Sequence, residues 1–134
     1  MRRRVDLFIF FCLCCLVADQ LSKHIAFQQG FAVINSGIAF GFLASAPWLF
    51  LIVSIVALII LAFNYWRHQQ NYPLVLLVFG ACSNLIDRLI YGGVIDWLTV
   101  PGLNIKNNFA DWMVVLAVVW FLVVEFKNSR NEPK

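Results

Sequence analysis

Residues 47–66 decide the fold, and they read PWLFLIVSIVALIILAFNYW. A helix that crosses the hydrocarbon core of a bilayer needs about 20 consecutive apolar residues. This segment supplies them, and the whole interval between Lys23 and Arg67 contains no Lys, Arg, Asp or Glu. The segment is therefore predicted to be a transmembrane helix.

Three further apolar segments predict spans at about Val5–Phe27, Pro73–Tyr91 and Asn108–Phe126. The composition agrees, because 62% of the residues are hydrophobic and 13% are charged, whereas soluble domains carry about 25% charged residues. We predict an all-α integral membrane protein of four transmembrane helices, with residues 1–134 forming one membrane-embedded domain. The net charge of +3 is too small to indicate a nucleic-acid partner.

The distribution of basic residues predicts the orientation of these spans. Cytoplasmic loops carry an excess of Lys and Arg, and an even number of spans places both termini on one side. That side would hold seven of the ten basic residues: Arg2, Arg3, Arg4, Arg67, Lys127, Arg130 and Lys134. Both termini are therefore expected in the cytoplasm, and the connections 28–46 and 92–107 are expected outside.

The first of these outer connections is not an ordinary hydrophilic loop. Apolar residues between positions 27 and 43 alternate with Gly, Gln, Asn and Ser. Such alternation predicts short strands or a segment that lies on the bilayer surface.

Polar residues from four places in the sequence would meet at the outer membrane edge. Ionisable groups within a span are costly and are candidates for function by default. Asp19 and Lys23 are four residues apart with the acid first, which is the favourable order for a helical ion pair. The complete set is Asp19, Gln20, Lys23, Asn84, Asp87, Arg88, Asp96, Asn108 and Asp111.

Each member also has a purely structural alternative. Asp19 and Lys23 could be an ion pair that holds the helices together, and the residues of the third span could form an interhelical hydrogen-bond network. Asp96 could be a plain loop residue, and Asp111 could cap its helix. Arg88 follows an acid directly and is therefore predicted to reach another segment or a ligand. Together with Lys106, the set places four acids and three bases at one membrane edge, and this favours a functional site.

Paired carboxylates are the best-supplied catalytic groups in this set. The chain lacks an HExxH pattern, and its two histidines, His24 and His68, fall on opposite sides of the membrane, so no metal or other cofactor is expected. A Ser/Lys hydrolase is disfavoured because Ser22 adjoins Lys23 and faces away from it on a helix. A close aspartate pair shares one proton, so that one member can activate water while the other polarises a carbonyl.

Two other classes of protein remain as alternatives. An ion- or proton-coupled transporter needs acids in the middle of its spans, and the second and fourth spans have none there. A non-catalytic membrane scaffold with interhelical ion pairs would tolerate replacement of a single aspartate by asparagine, apart from a change in stability.

Five ordered motifs resemble those of the lipoprotein signal peptidases, the signal peptidase II family. The motifs are Asp19-Gln20-Leu21-Ser22-Lys23, Asn35-Ser36-Gly37-Ile38-Ala39-Phe40, Asn84-Leu85-Ile86-Asp87-Arg88, Val94-Ile95-Asp96 and Asn108-Phe109-Ala110-Asp111. The chain departs from the family at Phe79 and Ser83, where Gly is common, and at Asn107, where Phe is usual.

The resemblance implies an aspartyl endopeptidase of the bacterial cytoplasmic membrane. Such an enzyme removes the signal peptide from diacylglyceryl-modified prolipoproteins and cuts just before the lipidated cysteine. The resemblance also implies a small extracytoplasmic β-sheet beside the helices, contact with membrane lipids and no cofactor. We expect a monomer.

The resemblance also assigns roles to individual residues. It implies that Asp96 and Asp111 are the catalytic dyad. Residues implied to bind substrate or shape its site are Asn35, Arg88, Asn84 and Asn108. Residues implied to support the site are Asp19, Lys23, Asp87 and Gly37.

Overall fold

The computed structural model describes residues 2–36, 59, 72–103 and 105–131. Gly37 lies outside these described residues, and so does the predicted second span apart from Ile59. Helices are present at the other three predicted spans: α1 at Arg2–Gln28, α2 at Tyr72–Tyr91 and α3 at Phe109–Asn131.

Two of these helices are long and apolar enough to cross a membrane. They are residues Arg4–Gln28 of α1 and Tyr72–Tyr91 of α2, and the apolar part of α3, Phe109–Val124, is shorter. Large apolar side chains on the helix surfaces are exposed, for example Phe10 at 64% and Leu116 at 59%. An apolar surface of this kind is unfavourable in water and suits a lipid environment.

The described helices pack most closely where α2 meets α3. A Cβ atom at Gly80 would lie 2.9 Å from the backbone oxygen of Ala110 and 3.1 Å from Cβ of Met113. Only glycine allows this approach. The buried apolar cluster between the helices is formed by Cys12, Val75, Leu76, Met113 and Ala117.

Four short strands lie beside the helices and form two antiparallel pairs within the described residues. Strand β1, Val33–Asn35, pairs with β2, Val94–Asp96, and Asn35 lies opposite Val94. Strand β3, Leu98–Val100, pairs with β4, Ile105–Asn107. The predicted small β region is thus present, but three of these strands come from the second outer connection rather than from the first.

Strand β1 can approach β2 because Gly93 has no side chain. A Cβ atom at Gly93 would lie 2.7 Å from Cγ2 of Ile34 and 2.9 Å from the backbone oxygen of Asn35. Such distances are shorter than van der Waals contact. Gly93 therefore allows the pairing that brings Asn35 to the same sheet as Asp96.

Candidate active site

A buried lysine joins α1 to α2. Lys23 Nζ lies 2.7 Å from Asp19 Oδ2 and 2.8 Å from Asp87 Oδ2. The lysine side chain is 1% exposed and both carboxylates are fully buried. Because a buried charge without a partner is strongly destabilising, these three residues depend on one another, and the predicted pairing of Asp19 with Lys23 is confirmed.

The Asp19 carboxylate connects all three described helices. From α1 it accepts hydrogen bonds from Ser83 Oγ of α2 at 2.7 Å and from the backbone N–H of Ala110 in α3 at 3.0 Å. Ser83 stands where the family commonly has glycine, and its hydroxyl here has a definite partner. The structural interpretation of Asp19 as a residue that holds the helices together is therefore confirmed.

The Asp87 carboxylate connects α2 to α1 and to strand β2. Its Oδ1 accepts a hydrogen bond from Gln20 Nε2 at 2.9 Å, and its Oδ2 accepts one from the backbone N–H of Ile95 at 3.1 Å. Ile95 is the middle residue of β2. Asp87 thus fixes the strand that carries Asp96.

Asp96 is the last residue of β2 and is 3% exposed. Its Oδ1 accepts a hydrogen bond from Asn108 Nδ2 at 2.7 Å, and its Oδ2 accepts one from Asn35 Nδ2 at 3.0 Å. Burial raises the pKa of Asp96, and the charge of Asp111 raises it further. The Asn35 and Asn108 amides and the Lys23 charge lower the pKa of Asp96, but burial prevails.

Asp111 lies in the first turn of α3. Its Oδ1 accepts a hydrogen bond from Asn84 Nδ2 at 2.8 Å, and the helix N-terminus favours its negative charge. The capping interpretation of Asp111 is wrong, because the cap is Asn108. Asn108 Oδ1 accepts the backbone N–H of Asp111 at 2.9 Å, which is the hydrogen bond of an N-cap residue.

The amide of Asn108 brings the two candidate catalytic acids together. Its Nδ2 donates to the carboxylate of Asp96 while its Oδ1 holds the backbone of Asp111. Asn108 is itself fully buried. The spacing of three residues between Asn108 and Asp111 therefore fixes the position of one acid relative to the other.

Arg88 is half-buried beside the same acids. Its Nη1 donates to the backbone oxygen of Asn84 at 3.2 Å, one turn back in its own helix. This hydrogen bond stays within its own helix. The Arg88 charge interacts electrostatically with Asp111 and Asp96, which belong to other segments, as well as with Asp87. The prediction that Arg88 reaches a ligand stays a prediction.

Three residues that support this site, Gln20, Ser83 and Gly93, have no such role assigned from the sequence. Gln20 Nε2 donates to Ser83 and to Asp87, and Gly93 admits β1. Ser83 and Asp87 are four residues apart on one helix face, and this spacing could have identified Ser83. In the described part of the chain, no three His, Cys, Asp or Glu side chains are grouped so that they could hold a metal ion.

Apolar helices beside two aspartates that are joined through one asparagine amide fit the class of membrane-embedded aspartic peptidases. Comparison with known proteins agrees. Residues 11–127 match the sequence profile of the family described as signal peptidase (SPase) II. The chain belongs to the signal peptidase II family of aspartic proteases, and this assignment does not support an ion-coupled transporter.

Relatives from distant bacteria share most of the chain. A lipoprotein signal peptidase of Burkholderia ambifaria is 35% identical, with 87% of this chain and 85% of the relative covered. One from Thermodesulfovibrio yellowstonii is 35% identical over 87% of this chain and 80% of its own length. One from Syntrophus aciditrophicus is 31% identical over 98% and 99% of the two chains.

Two solved structures share the fold. A bacterial membrane enzyme determined by the in meso method at 2.3 Å resolution has a TM-score of 0.86 and 22% identity, with 97% of this chain and 93% of that chain covered. A second bacterial membrane enzyme, determined at 1.9 Å, has a TM-score of 0.76 and 22% identity, with coverages of 92% and 94%. The fold is therefore that of a bacterial membrane enzyme.

Proposed function

We propose that this protein removes signal peptides from lipid-modified bacterial prolipoproteins, with Asp96 and Asp111 as the catalytic dyad. The scissile bond would be the peptide bond just before the lipidated cysteine. The observation that carries the assignment is the Asn108 amide, which bonds to the Asp96 carboxylate at 2.7 Å and to the Asp111 backbone at 2.9 Å. Membership of an aspartic protease family supports the reaction class.

The chemistry follows from two carboxyl groups that share one proton. The ionised member takes a proton from a water molecule, whose oxygen attacks the scissile carbonyl carbon. The protonated member donates a hydrogen bond to the carbonyl oxygen. When the tetrahedral intermediate collapses, the carbon–nitrogen bond breaks and a proton passes to the leaving cysteine nitrogen. Water is thereby divided between the new carboxyl group and the new amine.

The surroundings of Asp96 support a proton shared between the two acids. Asp96 has a raised pKa because it is buried and lies near Asp111. Neutral amides rather than cations supply the hydrogen bonds to both carboxylates. We assign the shared proton to the pair of acids rather than to either one.

Asn35 and Arg88 are proposed to bind the substrate backbone near the scissile bond. Asn35 lies in β1 and contacts Asp96 directly. An extended substrate could therefore lie beside this strand and reach the dyad. The Arg88 charge beside the acids can stabilise the negative charge that develops on the attacked carbonyl oxygen.

The directions of the helices support a chain of four spans. The site residues lie near the C-terminal ends of α1 and α2 and at the N-terminal end of α3. Helices α1 and α2 thus run in the same direction, which requires a return crossing between them. Residues 47–66 form the apolar segment available for that crossing. We place both termini in the cytoplasm and the site at the outer face of the inner membrane, in a monomer.

The test is cleavage of a purified diacylglyceryl-modified prolipoprotein by the protein in detergent or liposomes, with the products identified by mass spectrometry. Asp96→Asn and Asp111→Asn should each lower kcat by at least about 100-fold, the scale of general acid–base catalysis. The matched control is Asp6→Asn, which alters an exposed acid at the far end of α1 and should cleave like the wild type. A folded Asp96→Asn or Asp111→Asn protein with full activity would refute the dyad.

A further inference from the structure

Lys23 contacts more than the two carboxylates that balance its charge. Its Nζ also donates to Asn84 Oδ1 at 2.8 Å, in addition to its contacts with Asp19 and Asp87. An ammonium group has three donors and no acceptor. All three Lys23 donors therefore have partners, and one of those partners is a neutral amide.

That contact determines which way the Asn84 amide faces. Oxygen and nitrogen of an asparagine amide have nearly the same shape, so their hydrogen-bond partners decide the orientation. Lys23 can only donate, so Asn84 must present Oδ1 to it. The amide nitrogen then points at Asp111, and Nδ2 donates to Asp111 Oδ1 at 2.8 Å.

The direction of this hydrogen bond matters because the dyad changes its protonation state during the reaction. A protonated carboxyl group can donate to an amide oxygen as readily as it accepts from an amide nitrogen. If the Asn84 amide turned, its oxygen could accept a hydrogen bond from a protonated Asp111. The proton of Asp111 would then point away from the substrate. An amide held by an ammonium group does not turn.

We propose that Lys23 is a positioning residue for the catalytic dyad. Through Asn84, it keeps Asp111 Oδ1 a hydrogen-bond acceptor and so leaves Oδ2 to carry and exchange the proton. This inference rests on the proposed function of Asp111. It goes further because it gives a residue of α1 a role in proton placement.

The other acid of the dyad, Asp96, accepts a hydrogen bond from an amide whose orientation is fixed in the same manner. Asn108 Oδ1 is occupied by the backbone N–H of Asp111, so its Nδ2 must donate to Asp96 Oδ1. In both amides the oxygen is held by a group that can only donate. For Asn108 that group is a backbone amide, and for Asn84 it is Lys23.

The test is a double-mutant cycle with Lys23→Met and Asn84→Ala, in which kcat, KM and Tm are measured on lipid-modified prolipoprotein. Lys23→Met keeps an unbranched apolar stem and removes the donor. It should lower kcat at least about tenfold and change KM less than about threefold. In the Asn84→Ala background, the same change should lower kcat less than about threefold, because Lys23 then has no Asn84 amide to orient.

Two further variants separate this role from folding and from charge. The double variant of Lys23→Met with Asp19→Asn removes one charge of each sign, so a loss of kcat that persists in it is not caused by a change in net charge. The new amide oxygen at position 19 can still accept the Ala110 N–H. Asn84→Asp keeps an acceptor for Lys23 and removes the amide donor to Asp111, so at neutral pH its kcat should fall by about as much as that of Lys23→Met. The control is Lys127→Met, which removes an exposed lysine near the end of α3 and should leave kcat unchanged.

Each outcome has a definite meaning. Equal losses of kcat on Lys23→Met in both backgrounds would overturn the inference, because Lys23 would then act independently of Asn84. A wild-type kcat in Asn84→Asp, or in Lys23→Met with only Tm lowered, would overturn it too. A wild-type protein that fails to cleave any lipid-modified prolipoprotein would refute the proposed function itself and the inference with it.

Discussion

Two pairs of aspartates belong to one network of hydrogen bonds in this protein and are held in different ways. Asp19 and Asp87 share the ammonium group of Lys23. Asp96 and Asp111 accept their hydrogen bonds from asparagine amides. An ammonium group stabilises the charged form of an acid firmly, whereas a neutral amide does so less strongly. We therefore propose that the first group is structural and that the second exchanges the proton of the reaction.

Removal of one acid from the first group should mainly affect stability. Asp87→Ala removes one of the two carboxylates that pair with Lys23, and it removes the acceptor of the Ile95 backbone N–H. Breaking a buried ion pair costs roughly 3–5 kcal/mol, so the free energy of unfolding in detergent should fall by about that amount. Denaturant titration measures it. An Asp87→Ala protein as stable as the wild type would contradict a mainly structural role for the first group.

Displacement of β1 affects the second group without substitution of any of the four aspartates. In Gly93→Ala, the new Cβ meets Ile34 and the backbone of Asn35, so β1 must shift and weaken the hydrogen bond from Asn35 to Asp96. We expect kcat to fall about tenfold, which corresponds to a loss of about 1.4 kcal/mol of transition-state stabilisation.

The control for that variant is another glycine. Gly102 has a φ of +83° and open space around its missing Cβ. Gly102→Ala is therefore strained without displacing β1. If Gly102→Ala loses as much kcat as Gly93→Ala, the close approach of β1 and β2 is not what maintains activity.

A smaller effect is expected from Asp96 on the way in which the stability of the protein depends on pH. Burial raises the pKa of Asp96 in the folded protein. Folding therefore favours the protonated form, and the penalty for a charged Asp96 disappears as pH falls below its folded pKa. The wild type should gain stability relative to Asp96→Asn between neutral and acidic pH. Parallel Tm curves for the two proteins across that range would contradict this.

The smallest expected effect is that of metal removal. The proposed reaction uses two carboxyl groups and water, so an excess of EDTA should leave kcat on lipid-modified prolipoprotein unchanged within error. Loss of activity on chelation, with recovery on addition of a divalent metal, would replace the two-acid mechanism with a metal-assisted one.

The helices and most of the site could be predicted because their signals are local. Apolar runs place α1, α2 and α3, and the spacing of Asp19 and Lys23 predicts their ion pair. Capping is only an alternative for Asp111 in the sequence, because Asn108 and Asp111 are both good capping types. Only the structure shows that Asn108 occupies that position.

The strands and the role of Gly93 could not be predicted because they depend on distant contacts. Each strand is three residues long, which is too short for a clear alternating pattern. Gly93 is needed because of Asn35, a partner from the other outer connection. The alternation after Phe27 marked the right region but could not identify its partner strand.

The N-cap of α3 has a consequence for the biogenesis of this protein. Helix α3 carries Asp111, and its N-cap residue Asn108 donates a hydrogen bond to Asp96. Its backbone also supplies the Ala110 N–H to Asp19. A nascent chain that has inserted only its earlier segments lacks Asp111 and these contacts. We therefore expect the candidate site to assemble only after α3 has been inserted.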